Sequence, residues 1–199
     1  MVELLNQDRF NIVKRTLLIL FLLLSFSRGQ AQFHSAEAVE FSLGYGLTVP
    51  FENAGFYGTG FFVQGEYVLG VNEWIDLRPY AGYVKTDMND NLSGLFEAGE
   101  KATANAVLFG GKGRFRIPFD WVAPYAEIGL GGSIGTFQTL TATTEIDENG
   151  VYMHIPFSLG VEFGSRHNVN VAVTSYIHPG IKQFSGAIAL GIRFPVGYY

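Results

Sequence analysis

The sequence predicts an all-β chain, an eight-stranded antiparallel up-and-down transmembrane β-barrel. Three observations carry that expectation. Apolar residues alternate with small or polar ones in eight separate stretches, the period of a strand with two unlike faces. The connections between these stretches alternate between short and long. The chain combines 48% hydrophobic residues with 16% charged ones and contains 25 glycines and no cysteine. That composition excludes intrinsic disorder, and the missing cysteine excludes a disulfide scaffold, a zinc-thiolate site and a cysteine nucleophile.

The N-terminal segment reads as an address. Lys14 and Arg15 precede an apolar run of 11 residues, Thr16 to Phe26. A membrane-spanning helix needs about 20 residues. Gly29 and Ala31 supply the small side chains of a cleavage site, so residues 1–31 are expected to be a secretory signal peptide and 32–199 the barrel domain. No cysteine follows the cut, which excludes a lipoprotein. The chain after Ala31 holds nine basic and sixteen acidic residues, a balance that argues against nucleic acid as a partner.

The stripes follow in order. Over 38–49, Val39, Phe41, Leu43, Tyr45, Leu47 and Val49 share one face and Glu40, Ser42, Gly44, Gly46 and Thr48 the other. Over 58–69, Phe61, Val63, Tyr67 and Leu69 oppose Gln64 and Glu66, and over 74–86, Ile75, Leu77, Ala81 and Tyr83 oppose Asp76, Arg78, Tyr80 and Gly82. The fourth, over 102–117, sets Val107, Phe109, Phe115 and Ile117 against Gly110, Lys112, Arg114 and Arg116. The fifth, over 122–135, sets Ala126, Ile128, Leu130 and Ile134 against Tyr125, Glu127, Gly129 and Ser133. In the sixth, over 152–163, Ile155, Phe157, Leu159, Val161 and Phe163 face away from His154, Ser158, Gly160 and Glu162. The seventh, over 168–178, separates Val169, Val171, Val173 and Ile177 from Asn170, Thr174, Tyr176 and His178. The last, over 184–194, separates Ile188, Leu190, Ile192 and Phe194 from Ala187, Ala189, Gly191 and Arg193. Each stripe is long enough to cross a bilayer tilted, which takes about 9–11 residues.

Gly70 to Glu73, Pro118 to Trp121 and Gly164 to His167 form the short connections, and the other side carries longer ones at 50–57, 87–101 and 136–151. Short turns on one side and long loops on the other mark an outer-membrane barrel. Trp74 and Trp121 then fall at the short-turn rim, and Tyr83, Phe137, Tyr152 and Phe184 are expected at the opposite girdle. A water-soluble barrel, with its apolar stripe inward, is the rival fold. The polar face argues against it, being rich in Gly, Ser, Ala and Tyr, with charges that cancel: Glu40, Glu66, Asp76, Glu127 and Glu162 against Arg78, Lys112, Arg114, Arg116 and Arg193. A narrow lumen filled by side chains needs small residues and paired charges. These ten residues are expected to form a structural charge network that locks the interior.

Three stretches resemble the small outer-membrane β-barrel proteins of Gram-negative bacteria, the OmpA/OmpX-like group. Pro124-Tyr-Ala-Glu-Ile-Gly-Leu-Gly-Gly132 looks like the family's central strand, and Ile155-Pro-Phe-Ser-Leu-Gly-Val-Glu-Phe163 is similar to the strand after its third loop. Ala187-Ile-Ala-Leu-Gly-Ile-Arg-Phe194 resembles a C-terminal strand whose closing aromatic the barrel-insertion machinery reads, although here Pro195 to Tyr199 follow it. The resemblance implies a cell outer-membrane location, contacts with outer-membrane lipids and lipopolysaccharide, and a mostly non-enzymatic role.

Candidate chemistry is sparse. A lipid A deacylase-like barrel carries His-x-Ser on one strand, yet the residues two beyond His34, His154, His167 and His178 are Ala36, Pro156, Val169 and Gly180. His154, Ser158 and Glu162 share a face, but four residues of strand span roughly 13 Å. Only a cross-strand partner could complete a catalytic group there. Asp87 to Gly94 spaces oxygen ligands like part of a calcium loop, but it lacks the sixth-position glycine and has Ala98 in place of the closing glutamate. Asp147-Glu-Asn-Gly150 reads as a loop turn. The expectation is therefore a barrel with a packed polar lumen, no cofactor and no enzymatic activity. Its role would be structural or would rest on an unidentified ligand at its external loops. The alternatives are a narrow channel, favoured if Gly110, Gly129, Gly131 and Gly160 line one open level, and a lipid-modifying barrel enzyme.

Overall fold

The computed structural model describes residues 37–51, 57–88, 101–140 and 145–196. Eight strands form one closed sheet: β1 (Glu37–Pro50), β2 (Gly58–Gly70), β3 (Ile75–Met88), β4 (Lys101–Arg116), β5 (Val122–Leu140), β6 (Glu145–Phe163), β7 (Val169–His178) and β8 (Gln183–Pro195). Every neighbouring pair is antiparallel and β8 returns to β1, so no sheet edge is left open. Closure leaves no strand edge with unpaired backbone groups, which a hydrocarbon environment demands.

The burial pattern overturns the soluble alternative. Glu40, Ser42, Gln64, Glu66, Asp76 and Arg78 are buried inside, while Phe41, Leu43 (67% exposed), Ile128, Leu130 and Leu159 stand on the outer surface. On β7 and β8 the outward positions are Val169, Val171, Val173, Ser175 and Ile177, then Phe184, Gly186, Ile188, Leu190, Ile192 and Phe194, with no charge among them. A continuous apolar surface of this kind is not compatible with water on its outside.

Trp74 and Trp121 are both exposed at the short-connection end, and Trp74 stacks on Phe115 at 6.2 Å. At the other end the expectation for four aromatics holds only in part. Tyr83 and Phe184 lie outward, against Phe61 (5.6 Å) and Phe51 (4.2 Å). Phe137 is fully buried in the lumen, and Tyr152 meets its ring edge-on at 5.6 Å. The reason is parity. Phe137 lies an even number of residues from Glu127, and Tyr152 from His154, so the two-residue period turns both inward.

The fifth and sixth stripes are longer than their alternation suggests. β5 and β6 each run for 19 residues and pair as far as Leu140↔Glu145. Asp147 to Gly150 is therefore strand, not a turn: Asp147 pairs with Gln138 and Gly150 with Gly135. Asp147, Glu148 and Asn149 are all exposed, so polar residues occupy both faces of the β6 arm and erase its alternation, although Phe137 and Thr139 on the β5 arm stay buried. The expected signal peptide over 1–31, residues 89–94 of the calcium-like stretch and the 141–144 connection lie outside the described residues.

Between β7 and β8 a single 3₁₀ turn, Pro179–Ile181, carries Ile181 into the barrel, where it is fully buried. Lys182 follows in the left-handed conformation, and its carbonyl accepts a hydrogen bond from the Phe51 amide at 2.9 Å.

Candidate functional site

The lumen is the only place where the chain concentrates chemistry among the described residues, and it is layered. Nearest the short connections lies a layer of charge that brings all ten candidate residues together. Arg78, fully buried on β3, reaches Glu40 at 3.1 Å, Glu66 at 3.0 Å and Asp76 at 3.1 Å. Arg114 on β4 holds Glu127 at 2.6 Å, Glu162 at 2.5 Å and Glu40 at 3.2 Å. Lys112 bridges Glu66 (2.5 Å) and Glu127 (2.9 Å). Arg193 pairs with Glu40 at 3.1 Å and with Glu162, and Arg116, nearest the mouth, meets Asp76 at 3.4 Å and Glu162 at 3.5 Å.

The sheet register sets these contacts up. Arg114 stands opposite Asp76 on one side and Glu127 on the other, and Glu40 stands opposite Arg193. Glu40 also stands opposite Glu66, a like-charge pair that Arg78 bridges. The Arg114 guanidinium further lies 3.7 Å from the centre of the Tyr125 ring. Five acids and five bases cancel, so desolvation leaves no net buried charge, and each ion keeps several partners.

The next layer is made of hydroxyls and imidazoles. His154 shares a 2.5 Å hydrogen bond with the Tyr80 hydroxyl at Nε2 and a 2.6 Å one with the Ser133 hydroxyl at Nδ1. Ser133 Oγ also lies 2.8 Å from His178 Nε2. Tyr176 donates to the Gln64 side-chain carbonyl, and Gln64 Nε2 donates to Glu66 at 2.6 Å, which ties this layer to the ionic one.

His154, Ser158 and Glu162 go to three separate places: His154 to Ser133 and Tyr80, Ser158 to Thr174, and Glu162 to its arginines. The cross-strand partner of His154 is a serine, but no carboxylate joins it, and Ser133 is fully sealed from lipid and solvent. The grouping of Ser133 with His178 was invisible in sequence, because it needs the β5–β6 and β7 registers together. No cluster of three or more metal-ligating side chains occurs among the described residues.

The remaining glycines do not line an open path. A β-carbon on Gly131 would lie 2.3 Å from the Tyr80 hydroxyl, and one on Gly160 would lie 2.4 Å from the Tyr125 ring. Each absent side chain is the space that a neighbouring aromatic fills. Beyond them, at the long-connection end, Phe62, Val84, Ala104, Ala106, Leu108, Phe137 and Ile181 form an apolar plug. The one void described within the ionic layer measures about 10 Å³, room for about one water molecule. At the short-connection end the lumen widens into a recess of about 540 Å³.

No protein-family model matches the sequence, and no curated protein does. Solved structures do. The chain is similar to Neisserial surface protein A, with a TM-score of 0.55 and 11% identity over 81% of this chain and 98% of that one. It also aligns with Ail, the attachment invasion locus protein of Yersinia pestis, at a TM-score of 0.46 and 17% identity over 80% of this chain and 100% of that one. OprG from Pseudomonas aeruginosa aligns at 0.46 and 11% over 83% and 99%. The likeness to the neisserial protein places the chain in the small closed-barrel fold.

Proposed function

We propose that the chain is a sealed outer-membrane β-barrel with a structural or surface-interaction role. The observation that carries this reading is the pairing of an apolar outer belt with a lumen that side chains fill from the ionic layer to the apolar plug, leaving open only the recess at the short-connection end. Eight strands enclose a space that side chains just fill, and here they fill it with paired ions, hydrogen-bonded rings and an apolar plug. The outer belt meets membrane lipid, including lipopolysaccharide, and the C-terminal strand serves the insertion machinery. The short turns face the periplasm, and the long β5–β6 hairpin faces outward, where any external ligand would be met. The buried, acid-free Ser133–His154 pair supports a non-enzymatic role.

Planar-bilayer conductance of the refolded protein tests the proposal. Electrical silence, together with heat-modifiable gel migration showing a folded barrel, is the expected result. Reproducible unitary steps would overturn the seal and make this a channel.

A further inference from the structure

The recess at the short-connection end plays no part in sealing the lumen, and its volume of about 540 Å³ falls in the usual range of ligand sites, about 300–1,000 Å³. We infer that it binds a small zwitterion, an amino acid or short peptide whose ammonium is met by the acidic side chains of the mouth and whose carboxylate is met by the basic ones. The site would exist whether or not the barrel proves electrically silent.

Topology divides the charges. Glu37, Glu73 and Asp76 come from β1, the β2–β3 turn and β3. Arg166, His167 and Arg193 come from the β6–β7 turn and β8. In a closed ring of eight, β2 and β3 lie across from β6 and β7, so Glu73 and Asp76 face Arg166, whereas Glu37 and Arg193 stand on the adjacent strands β1 and β8 and Arg193 is held by Glu40 and Glu162. Arg116 also lines the recess from β4, but Asp76 and Glu162 hold it.

Two further features point to a ligand. Asp76 is buried, and its Oδ1 accepts no hydrogen bond among the described residues; the nearest positive charge is Arg116 at 3.4 Å. A buried carboxylate oxygen in this state is a ready acceptor for an ammonium. Arg166 is exposed and makes no ion pair among the described residues. Beside it His167 is fixed in a left-handed backbone conformation (φ 51°), with its ring Nε2 donating to the Phe119 carbonyl at 2.8 Å. Ala38, Val68, Pro118 and Pro195 supply apolar wall for short side chains.

Isothermal titration calorimetry of the full chain refolded in detergent micelles is the test, with trialanine, free alanine and N-acetyl-trialanine amide as probes. Saturable heat is expected from trialanine or alanine and none from the doubly capped peptide. Stronger binding of alanine assigns a free amino acid, and stronger binding of trialanine a peptide. Arg166→Gln and Glu73→Gln alter turn side chains outside the lumen network and should fold, as unchanged heat-modifiable migration would confirm. Each should weaken binding about tenfold or more, the value of a charge-assisted hydrogen bond. Equal binding of the capped peptide, no saturable heat from either free probe at millimolar concentration, or wild-type affinity in both variants would overturn the site. A barrel that conducts yet binds trialanine would overturn only the sealed reading.

Discussion

The Tyr125 ring on β5 covers Gly160, its direct cross-strand partner on β6, so closely that a β-carbon there would sit 2.4 Å from the ring. The same ring lies against the Arg114 guanidinium on its other flank and donates its hydroxyl to Asn170 at 3.2 Å. One glycine thus positions a ring that helps to hold one of the two central arginines of the lumen. Gly160→Ala is expected to cost about 1–3 kcal/mol, as overpacking does. Urea titration in lipid vesicles measures it. Adding Tyr125→Ala should remove most of the steric part, and a double variant no better than the sum of the singles would refute the contact.

Arg114 and Glu127 lie opposite one another and pair at 2.6 Å. Arg114→Met leaves Glu127, Glu162 and Glu40 short of a partner, at an expected cost of about 3–5 kcal/mol. Glu127→Gln in that background should recover part of the loss. A double-mutant cycle reads the coupling, and additivity would show that the two charges act independently.

Ser133 serves two imidazoles at once. Ser133→Ala strands nitrogen atoms on both His154 and His178 inside a sealed lumen, and should cost about 1–3 kcal/mol. A change too small to resolve in the same urea titration would mean that one histidine finds another partner.

On the lipid side, Leu159 is an outward residue of β6, 54% exposed. Leu159→Arg at this mid-strand position should destabilise by about 2–4 kcal/mol. Glu145→Arg, at the far end of the same strand and exposed, should move stability by less than about 0.5 kcal/mol. Equal effects in a lipid folding titration would remove β6 from the membrane.

Much of this architecture was legible in residue order alone. Alternation over 38–49 and 184–194 assigned two unlike faces, and the small residues and cancelling charges of the polar face said which was inside. What failed was the treatment of Phe137 and Tyr152, whose aromatic character suggested a rim although their parity pointed inward. The Asp147–Gly150 stretch failed for a different reason: a ladder is held by backbone hydrogen bonds, and where water lies on both sides the side chains carry no period. The ten lumen charges could be nominated from their face, but which acid meets which base depends on strand stagger. The Tyr80–His154–Ser133–His178 chain depends on the stagger of four strands at once.

Beyond Gly135 the two arms of the β5–β6 hairpin differ: Phe137 and Thr139 on β5 stay buried, whereas Asp147, Glu148 and Asn149 on β6 are all exposed and held by the ladder. The three exposed side chains of the β6 arm answer to solvent and not to the core. Almost any sequence able to hold an extended backbone would serve there, so this tip is where the molecule is free to diversify while the barrel beneath it stands still. In a population under immune or phage pressure, change would collect there first, and a foreign epitope grafted at that tip would be carried without disturbing the fold.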